Sequence, residues 1–299
     1  MGPSASWPAP AKINLFLRVL GRRQDGYHEL QTAFQFLACG DEIRLSVRSD
    51  GRIRRGTDLP GVSEEADLSV RAARQLQSFA GTGLGVDIDI DKRIPLGGGL
   101  GGGSSDAATV LVALNQLWRL ELPVATLAEL GLALGADVPV FVRGRAAWAE
   151  GVGERLTPVE FDQPWYLVVH PGCHVSTATV FAAPTLTRNS TPAKIWGLLR
   201  HQEGLARRIS AQHLVHRIGN DCETWVRAHY PEVDAVFHWL GRFGLARMTG
   251  TGGAVFLLLK AENDGRQLLG QLPAHWRGIV AQGQNRSPLL ARALIGESA

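Results

Sequence analysis

The fold is decided by one stretch of sequence, Pro95-Leu96-Gly97-Gly98-Gly99-Leu100-Gly101-Gly102-Gly103-Ser104-Ser105. Glycine adopts positive φ freely and lets an anion come close to the backbone amides. A strand-like stretch ends near Ile90, and a largely apolar helical pattern follows over residues 104–117. The N-terminus of such a helix adds free N–H groups and the positive end of its dipole. The stretch therefore predicts a phosphate-binding turn between a strand and a buried helix.

The glycine cluster differs from a Walker A loop, a dinucleotide-binding turn and a linker. A Walker A loop needs a lysine directly before its serine or threonine, and Gly103 stands before Ser104. The pattern G-x-G-x-x-G is present over residues 97–102, but so glycine-rich a segment matches it by chance, without a first βαβ unit around it. A flexible linker is disfavoured because Pro95 precedes the cluster and a helix with two serines at its start follows.

The composition is that of a folded protein, and it excludes several classes of function. The chain has 299 residues, of which 45% are hydrophobic and 20% charged, so it is not intrinsically disordered. The formal net charge of +3, without a block of basic residues, excludes nucleic acid as an expected partner. No apolar run reaches the length of about 18 residues that a membrane span needs. Cys39, Cys173 and Cys222 are too widely spaced for a zinc motif or a disulfide framework, which favours a reducing cytoplasm.

Strand and helix patterns alternate in both halves of the chain, which predicts an α/β or α+β fold. Asp67 before an apolar helical pattern and Gly81 after it are typical of a helix start and a helix stop. A turn-rich segment over residues 150–164 predicts a boundary between a domain of residues 1–155 and a domain of residues 156–299. The patterns predict strands over residues 13–20, 42–47, 86–90, 165–170 and 254–259, and further helices over residues 104–117, 126–134, 222–228 and 233–243.

Three motifs, in order along the chain, resemble the signatures of the GHMP kinase superfamily, which includes galactokinase, homoserine kinase and mevalonate kinase. They are the glycine cluster with the following Asp106-Ala107-Ala108, the segment LGADVP over residues 134–139, and the glycine turn TGTGG over residues 249–253. The resemblance implies an α+β, two-domain GHMP-kinase-like fold. Its N-terminal part would be a ribosomal-S5-like nucleotide domain, and its C-terminal part a ferredoxin-like α/β sandwich domain.

Two N-terminal motifs narrow the resemblance to one branch of that superfamily. PAKINL over residues 10–15 and DGYHEL over residues 25–30 are similar to the GHMP kinases of the non-mevalonate isoprenoid route. Those enzymes phosphorylate the 2-hydroxyl of 4-(cytidine 5'-diphospho)-2-C-methyl-D-erythritol and release ADP. The resemblance therefore implies ATP and Mg²⁺ as cofactors and a small-molecule substrate as the partner. It also implies a cytoplasmic monomer or weak homodimer that binds neither nucleic acid nor membrane.

The expected catalytic residues are Lys12 and Asp137. Phosphoryl transfer needs a group that accepts the proton of the substrate hydroxyl, and the resemblance gives this role to Asp137. An ammonium at Lys12 would keep that carboxylate ionised and stabilise the developing alkoxide. Asp137 could instead be a helix cap, and Lys12 a surface lysine. Lys12 lies within an apolar strand pattern, which argues against the surface alternative.

The resemblance also assigns residues that would bind the nucleotide. Lys92 and the pair Asp67-Leu68 correspond to positions near the adenine. The family commonly has Asn where this chain has Asp67, so an amide donor to the base is lost. Ser105 is a candidate magnesium ligand, and no carboxylate cluster indicates a metal site. The phosphates would be bound by Pro95, Leu96, Gly97, Gly98, Gly99, Leu100, Gly101, Gly102, Gly103, Ser104 and Ser105.

The expected substrate-binding residues come from both halves of the chain. Asn14 is two residues from Lys12, and so shares its face of the strand. Tyr27 and His28 resemble residues that stack on the cytosine and hydrogen-bond its edge. Phe181 stands where a second stacking ring is expected, and Thr177 lies close to it in sequence.

Alternative functions differ in what they require of the sequence. Another kinase of the superfamily, acting on homoserine or mevalonate, would have no use for a cytosine clamp at Tyr27, His28 and Phe181. A nucleotide-binding protein without catalysis would not need Lys12 and Asp137, and both are present. A dinucleotide-dependent oxidoreductase is a more distant alternative. His213-x-x-His216 lacks a third ligand nearby and is expected on a surface helix.

Overall fold

The computed structural model describes residues 4–194 and 208–297. The strands are β1 (Ser4–Arg22), β2 (His28–Arg48), β3 (Ile53–Arg55), β4 (Gly85–Asp91), β5 (Ala147–Gly151), β6 (Arg155–Pro158), β7 (Glu160–Phe161), β8 (Trp165–His170), β9 (Arg208–Ile209), β10 (Ala246–Met248), β11 (Val255–Leu259) and β12 (Arg277–Gln284). The helices are α1 (Leu68–Ala80), α2 (Gly102–Leu117), α3 (Val124–Leu134), α4 (Val138–Arg143), α5 (Thr177–Ala182), α6 (Ala211–Arg217), α7 (Glu223–His229), α8 (Pro231–Gly241), α9 (Glu262–Leu269) and α10 (Pro288–Glu297).

One large sheet organises these elements. Its strands follow the order β10-β11-β8-β12-β2-β4-β3, while β1 and β5 also pair with β2 and β6 pairs with β5. All these pairings are antiparallel except that of β3 with β4. Helices pack on a mainly antiparallel sheet, so the expected α+β class is confirmed. β12 pairs with both β8 and β2. Because β2 belongs to the predicted N-terminal domain and β8 and β12 to the predicted C-terminal one, strands of both predicted domains lie in the same sheet.

The long hairpin of β1 and β2 carries the start of the chain through the whole core. The register between the two strands shifts at three points, one of them between Asn14 and Leu17. Such bulges bend the strand and change which face its side chains occupy. β1 therefore contributes Trp7 to one buried cluster, Ile13 to a second and Val19 to a third. The strand predicted over residues 13–20 is thus the middle of a much longer one.

The helix signals in the sequence are largely confirmed, with one correction. The Asp67 carboxylate accepts a hydrogen bond from the Ser69 N–H at 2.8 Å, and Gly81 ends α1 with a φ of 61°. α2 begins at Gly102, two residues before the predicted start, and its N-cap is Gly101. Ser104 and Ser105 therefore lie in the first turn of α2, and the backbone of the preceding glycines forms the start of the helix.

The sequence expectation about the histidine pair on the exterior also holds. His213 and His216 are both exposed on α6, as expected for a surface helix. Within residues 4–194 and 208–297, the helices are too short or too polar to cross a membrane.

Candidate functional site

A cavity of about 410 Å³ lies between β1, the glycine cluster at residues 95–103 (the glycine loop), the start of α4 and the turn at residues 250–251. Residues 95–104, all expected to bind phosphate, line this central cavity. The cavity is also lined by four other expected site residues, from β1, the N-cap of α4 and α5: Lys12, Asn14, Asp137 and Thr177. Leu68, Lys92 and Phe181 complete the expected residues on its walls. Segments that are far apart in sequence are thus brought to one space of the size of a small-molecule site.

Lys12 and Asp137 form an ion pair on the wall of this cavity. The Lys12 Nζ lies 3.0 Å from the Asp137 Oδ2, and the lysine side chain is 3% exposed while the aspartate side chain is 33% exposed. The same ammonium donates to Asn14 Oδ1 at 2.6 Å, and Asn14 Nδ2 donates to Thr32 Oγ1 at 2.9 Å. Lys12 is therefore not a surface lysine. The carboxylate faces the cavity while the cation behind it is held in place by a polar network.

Local backbone structure explains how these two charges come together. Asp137 occupies the N-cap position of α4, yet its side chain makes no capping hydrogen bond, which leaves the carboxylate free to pair with Lys12. The Lys12 N–H donates to the Leu100 carbonyl at 3.0 Å, and the Asn14 N–H donates to Thr249 Oγ1 at 2.9 Å. The β1 backbone thus holds the glycine loop and the TGTGG turn, while its side chains hold Asp137.

The glycine loop is tightly packed rather than a flexible linker. Gly97, Gly99 and Gly101 have φ values of 69°, 71° and 73°, which L side chains rarely adopt. A Cβ at Gly99 would lie 2.2 Å from the Thr249 carbonyl oxygen. The Thr249 hydroxyl donates to the Gly99 carbonyl at 3.2 Å. The TGTGG turn therefore supports the loop from behind, and only glycine fits between them.

Lys92, expected near the adenine, is bound between two buried carboxylates. Its Nζ donates to Asp41 Oδ2 and to Asp106 Oδ2, each at 2.6 Å. Burial raises the pKa of Asp106 to about 7, although Lys92 opposes that rise. Asp41 Oδ1 also accepts the Arg93 and Ile94 N–H groups, so it anchors the chain just before the glycine loop. Sequence reasoning missed Asp41, because nothing in its local pattern indicates contacts some fifty residues away.

Of the two residues expected near the adenine, Leu68 faces the cavity and Asp67 does not. Leu68 lines the central cavity. The Asp67 carboxylate is buried and committed elsewhere, since one oxygen caps α1 and the other receives Arg55 Nη1 at 2.8 Å. Arg55 thus neutralises the charge that distinguishes Asp67 from the usual Asn. The departure from the family pattern is balanced inside the protein rather than at the cavity.

Ser105, the candidate magnesium ligand, points away from the cavity. Its side chain is fully buried, its Oγ has no hydrogen-bond partner among residues 4–194 and 208–297, and it does not belong to the cavity lining. Ser104, one residue earlier, does line the cavity, as does Asp137. In the described ranges no cluster of three or more His, Cys, Asp or Glu side chains is arranged to hold a metal.

The residues expected to bind cytosine lie beside the cavity, in an arrangement that differs from a simple clamp. The His28 ring stacks on Phe181 with centroids 5.0 Å apart and planes 21° from parallel. Tyr27 is 64% exposed, so most of its surface is open to solvent. Thr177 lies at the start of α5, where its hydroxyl is 2.7 Å from that of Thr251. Phe181 therefore has one face on His28 while it also lines the cavity.

Arg188 is the residue at this site that the sequence did not reveal. Its Nε donates to His28 Nε2 at 3.0 Å. Burial, together with the positive charges of Arg188 and Arg22, lowers the pKa of His28, so the imidazole is held in its neutral form. The loop around Arg188 carries no recognisable motif, and 160 residues separate it from His28. Local sequence patterns give no signal for such a pair.

Comparisons with known families agree with this geometry. The family model described as GHMP kinases N terminal domain matches residues 67–145, and the model described as GHMP kinases C terminal matches residues 195–278. The first match spans the glycine loop and Asp137. Together the two matches cover more than half of the chain.

Individual proteins place the chain more narrowly. It is 59% identical over 297 residues to the 4-diphosphocytidyl-2-C-methyl-D-erythritol kinase of Alkalilimnicola ehrlichii, covering 99% of this chain and 97% of that relative. A solved structure of 4-(cytidine 5'-diphospho)-2C-methyl-D-erythritol kinase matches with a TM-score of 0.76 and 34% identity, covering 93% of this chain and 99% of the other.

A solved homoserine kinase from Cytophaga hutchinsonii shares the fold, with a TM-score of 0.61, 16% identity and 96% of each chain covered. At that identity the match concerns the fold alone, whereas the two matches above extend through the sequence. The chain belongs to the GHMP kinase family and, within it, to the 4-diphosphocytidyl-2-C-methyl-D-erythritol kinases.

Proposed function

We propose that this protein transfers the γ-phosphoryl group of ATP to the 2-hydroxyl of 4-(cytidine 5'-diphospho)-2-C-methyl-D-erythritol and releases ADP. The observation that carries the proposal is the Lys12–Asp137 ion pair at 3.0 Å, on the wall of the cavity formed by the glycine loop. A proton acceptor and a phosphate-binding loop thus share one small space, as a phosphoryl transferase requires. The 59% identity to the 4-diphosphocytidyl-2-C-methyl-D-erythritol kinase of Alkalilimnicola ehrlichii supports the choice of substrate.

In the proposed reaction Asp137 accepts the proton of the attacking hydroxyl. Its carboxylate is partly exposed to the cavity and makes no competing cap interaction. Lys12 holds the carboxylate in position and stabilises the negative charge that develops on the hydroxyl oxygen. Asn14 shares the Lys12 ammonium and lines the same wall, so it would orient the substrate beside the reacting group. The backbone amides of residues 97–104 would bind the phosphates at the start of α2.

The residues that line the cavity suit a magnesium ion held largely by phosphate oxygens. Mg²⁺ usually binds through one or two protein groups in addition to substrate phosphates and water. The Ser104 hydroxyl and the Asp137 carboxylate are oxygen donors on the wall. A bound Mg²⁺ would neutralise charge on the transferred phosphoryl group. Ser105 is less suited to this role than Ser104, because its Oγ lies outside the cavity lining.

Recognition of the cytidine group is assigned to Tyr27, His28 and Phe181. The exposed Tyr27 ring and the cavity-lining Phe181 ring provide aromatic faces near His28. His28 provides ring nitrogens for the edge of the base. Leu68 and Lys92 would contact the adenosine end of ATP, since both line the cavity beside the glycine loop.

The proposal extends to the organisation and location of the protein. It includes domains of residues 1–155 and 156–299, a cytoplasmic location, and a monomer or weak homodimer. Three free cysteines and the use of ATP support a reducing compartment. Size-exclusion chromatography with light scattering would test the oligomeric state, with a stable higher oligomer as the contrary result.

A coupled ADP-release assay tests the activity. The purified protein is given ATP and Mg²⁺ with the cytidylated substrate, with homoserine or with mevalonate. We expect turnover of the cytidylated substrate alone. Turnover of only homoserine or mevalonate would refute the proposed substrate, and absence of ADP release with all three would refute the kinase activity.

A further inference from the structure

The guanidinium of Arg188 is held rigidly by the loop that carries it. Its Nη2 donates to the carbonyls of Phe181 and Ala183 at 2.8 and 2.6 Å, and its Nη1 donates to the carbonyls of Leu186 and Pro184 at 3.3 and 3.5 Å. A planar guanidinium fixed by four carbonyls has little freedom left. Its remaining N–H, on Nε, points at His28 Nε2 at 3.0 Å. Arg188 is therefore a preorganised donor toward one atom of one imidazole.

This contact determines the tautomer of His28. An imidazole nitrogen that accepts a hydrogen bond carries no proton, so the proton of the neutral ring must be on Nδ1. Arginine remains charged and cannot itself accept a proton. Arg188 thus opposes both the imidazolium form and the Nε2–H tautomer. The same guanidinium binds the Phe181 carbonyl, and the Phe181 ring stacks on His28, so the orientation of the imidazole is fixed as well.

We propose that Arg188 is a positioning residue that makes His28 a fixed Nδ1–H donor, and that it thereby sets the preference of the site for cytosine over uracil. The proposal rests on the proposed function only in placing a pyrimidine base at His28. Cytosine presents an unprotonated acceptor at N3, whereas uracil presents an N–H at the same ring position. A fixed N–H donor on the protein satisfies the first edge and opposes the second, which leaves two donors facing each other.

A purely mechanical role for Arg188 is the competing possibility, because the same contacts brace residues 181–188. The two roles differ in what they require of His28. If Arg188 only supports the loop, removing its side chain should change neither the His28 tautomer nor the preference between bases. If Arg188 sets the tautomer, removing its side chain should change both.

The first measurement is the tautomer itself, which needs no activity. Long-range ¹H–¹⁵N spectra of histidine-labelled protein, with His28 assigned from the His28→Gln variant, distinguish Nδ1–H from Nε2–H. We expect Nδ1–H in the wild type, and Nε2–H or a mixture in Arg188→Met. Arg22→Met is the matched control, because Arg22 also lowers the pKa of His28 but the bond to Nε2 is made by Arg188. This control should keep Nδ1–H.

The second measurement is the choice of base. Cytidine 5'-diphosphate and uridine 5'-diphosphate serve as calorimetric probes, so the result does not depend on turnover. We expect Arg188→Met to lower the preference for the cytidine probe by about 10-fold or more, and Arg22→Met to leave it unchanged. In turnover, Arg188→Met should raise KM for the cytidylated substrate with little change in kcat or in KM for ATP.

Two results would overturn the proposal. One is an Nε2–H tautomer in the wild type, which is decisive even if Arg188→Met fails to fold. The other is an Arg188→Met protein with weaker binding of both probes, an unchanged preference and an unchanged tautomer, which is the behaviour of a brace. A protein that prefers the cytidine probe through Arg188 but does not phosphorylate the cytidylated substrate would retain this inference and refute the proposed function.

Discussion

At the scale of single residues, the proposed chemistry rests on a lysine that the fold buries and an aspartate that it leaves partly exposed. The Lys12 side chain is 3% exposed and the Asp137 side chain 33% exposed. Burying an ammonium costs free energy unless it is paired and hydrogen-bonded, and here Asp137 and Asn14 satisfy it. Asp137, the residue proposed to accept the substrate proton, is thus the member of the pair that solvent can reach.

Replacing Asp137 by Asn should remove catalysis without removing nucleotide binding. The amide keeps the size of the side chain but cannot accept the proton, so kcat should fall about 10²- to 10⁴-fold. Calorimetric affinity for ATP should change little. Asp234→Asn on α8 is the control, since Asp234 pairs with Arg227 far from the cavity. Full activity of Asp137→Asn would exclude this residue as the base.

Replacing Lys12 by Met should separate activity from stability. The variant removes the cation that stabilises developing charge, so kcat should fall about 10²- to 10³-fold. Asp137 can then be solvated because it is partly exposed, and a buried ammonium no longer needs compensation. The free energy of unfolding in urea should therefore change by no more than about 2 kcal/mol. Global unfolding of this variant would contradict that argument.

At the scale of elements, the glycine loop packs directly against the TGTGG turn just before α2 begins. The Ala254 N–H donates to the Gly98 carbonyl at 3.1 Å, and a Cβ on Gly253 would lie 2.4 Å from the Gly97 carbonyl oxygen. Two glycine-rich turns from opposite halves of the chain therefore approach backbone to backbone. Any side chain between them would displace the loop amides that are proposed to bind phosphate.

Gly99→Ala should disrupt this packing. Its methyl group would lie 2.2 Å from the Thr249 carbonyl oxygen, at a φ of 71°. We expect a loss of about 2–4 kcal/mol in the free energy of unfolding, from backbone strain and overpacking, together with a raised KM for ATP. Gly83→Ala is the control, because no atom of the described part of the chain lies within 4 Å of its added methyl group. Equal stability of the two variants would show that the loop can relax.

At the scale of the whole molecule, one sheet connects the strands that lead to the glycine loop, to Lys12 and to His28. Its strand β8 ends at His170, which is buried beside Gly98 with its Nε2 unpaired within the described ranges. Burial, and then the charges of Arg277 and His174, lower the pKa of His170 to about 4. The folded protein thus resists protonation of a group that the unfolded chain protonates near pH 6.5.

His170 should make the protein lose stability on acidification. Between pH 6.5 and 4 the unfolded chain binds a proton at this histidine and the folded state does not, so stability falls as pH falls. The contribution is about 3 kcal/mol over that range. His170→Asn should flatten the curve of unfolding free energy against pH, measured in urea. His238→Asn, at an exposed histidine on α8, should leave it unchanged, and parallel curves for wild type and His170→Asn would refute the assignment.

Local patterns in the sequence predicted some features closely and missed others for a physical reason. The strand over residues 165–170 and the cap and stop of α1 were predicted to the residue, because short-range signals specify them. β1 and β2 were predicted too short, since their bulges interrupt the alternation on which strand prediction depends. The pairing of β12 with β2 has no local signal at all.

In the candidate site too, residues with a local sequence signal were predicted and residues without one were missed. Lys12 and Asn14 were expected on one face because they are two residues apart in a strand, and both line the cavity. Their roles in catalysis and binding stay predictions until the variants are measured. Asp41 and Arg188 were missed because each acts through a partner distant in sequence. The tertiary structure, rather than a motif, brings those pairs together.

The register shift in β1 between Asn14 and Leu17 has a consequence for how the protein can be changed. Before the shift, the backbone and side chains of β1 hold the glycine loop, the TGTGG turn and Asp137. After it, the hairpin runs outward to the exposed Tyr27. One half of the hairpin is therefore held by contacts with the cavity wall, and its tip at Tyr27 is exposed to solvent. If the proposed roles of Tyr27 and Lys12 hold, a library that randomises residues 23–27 should change which acceptor is bound, while insertions within residues 10–17 should displace the Lys12–Asp137 pair.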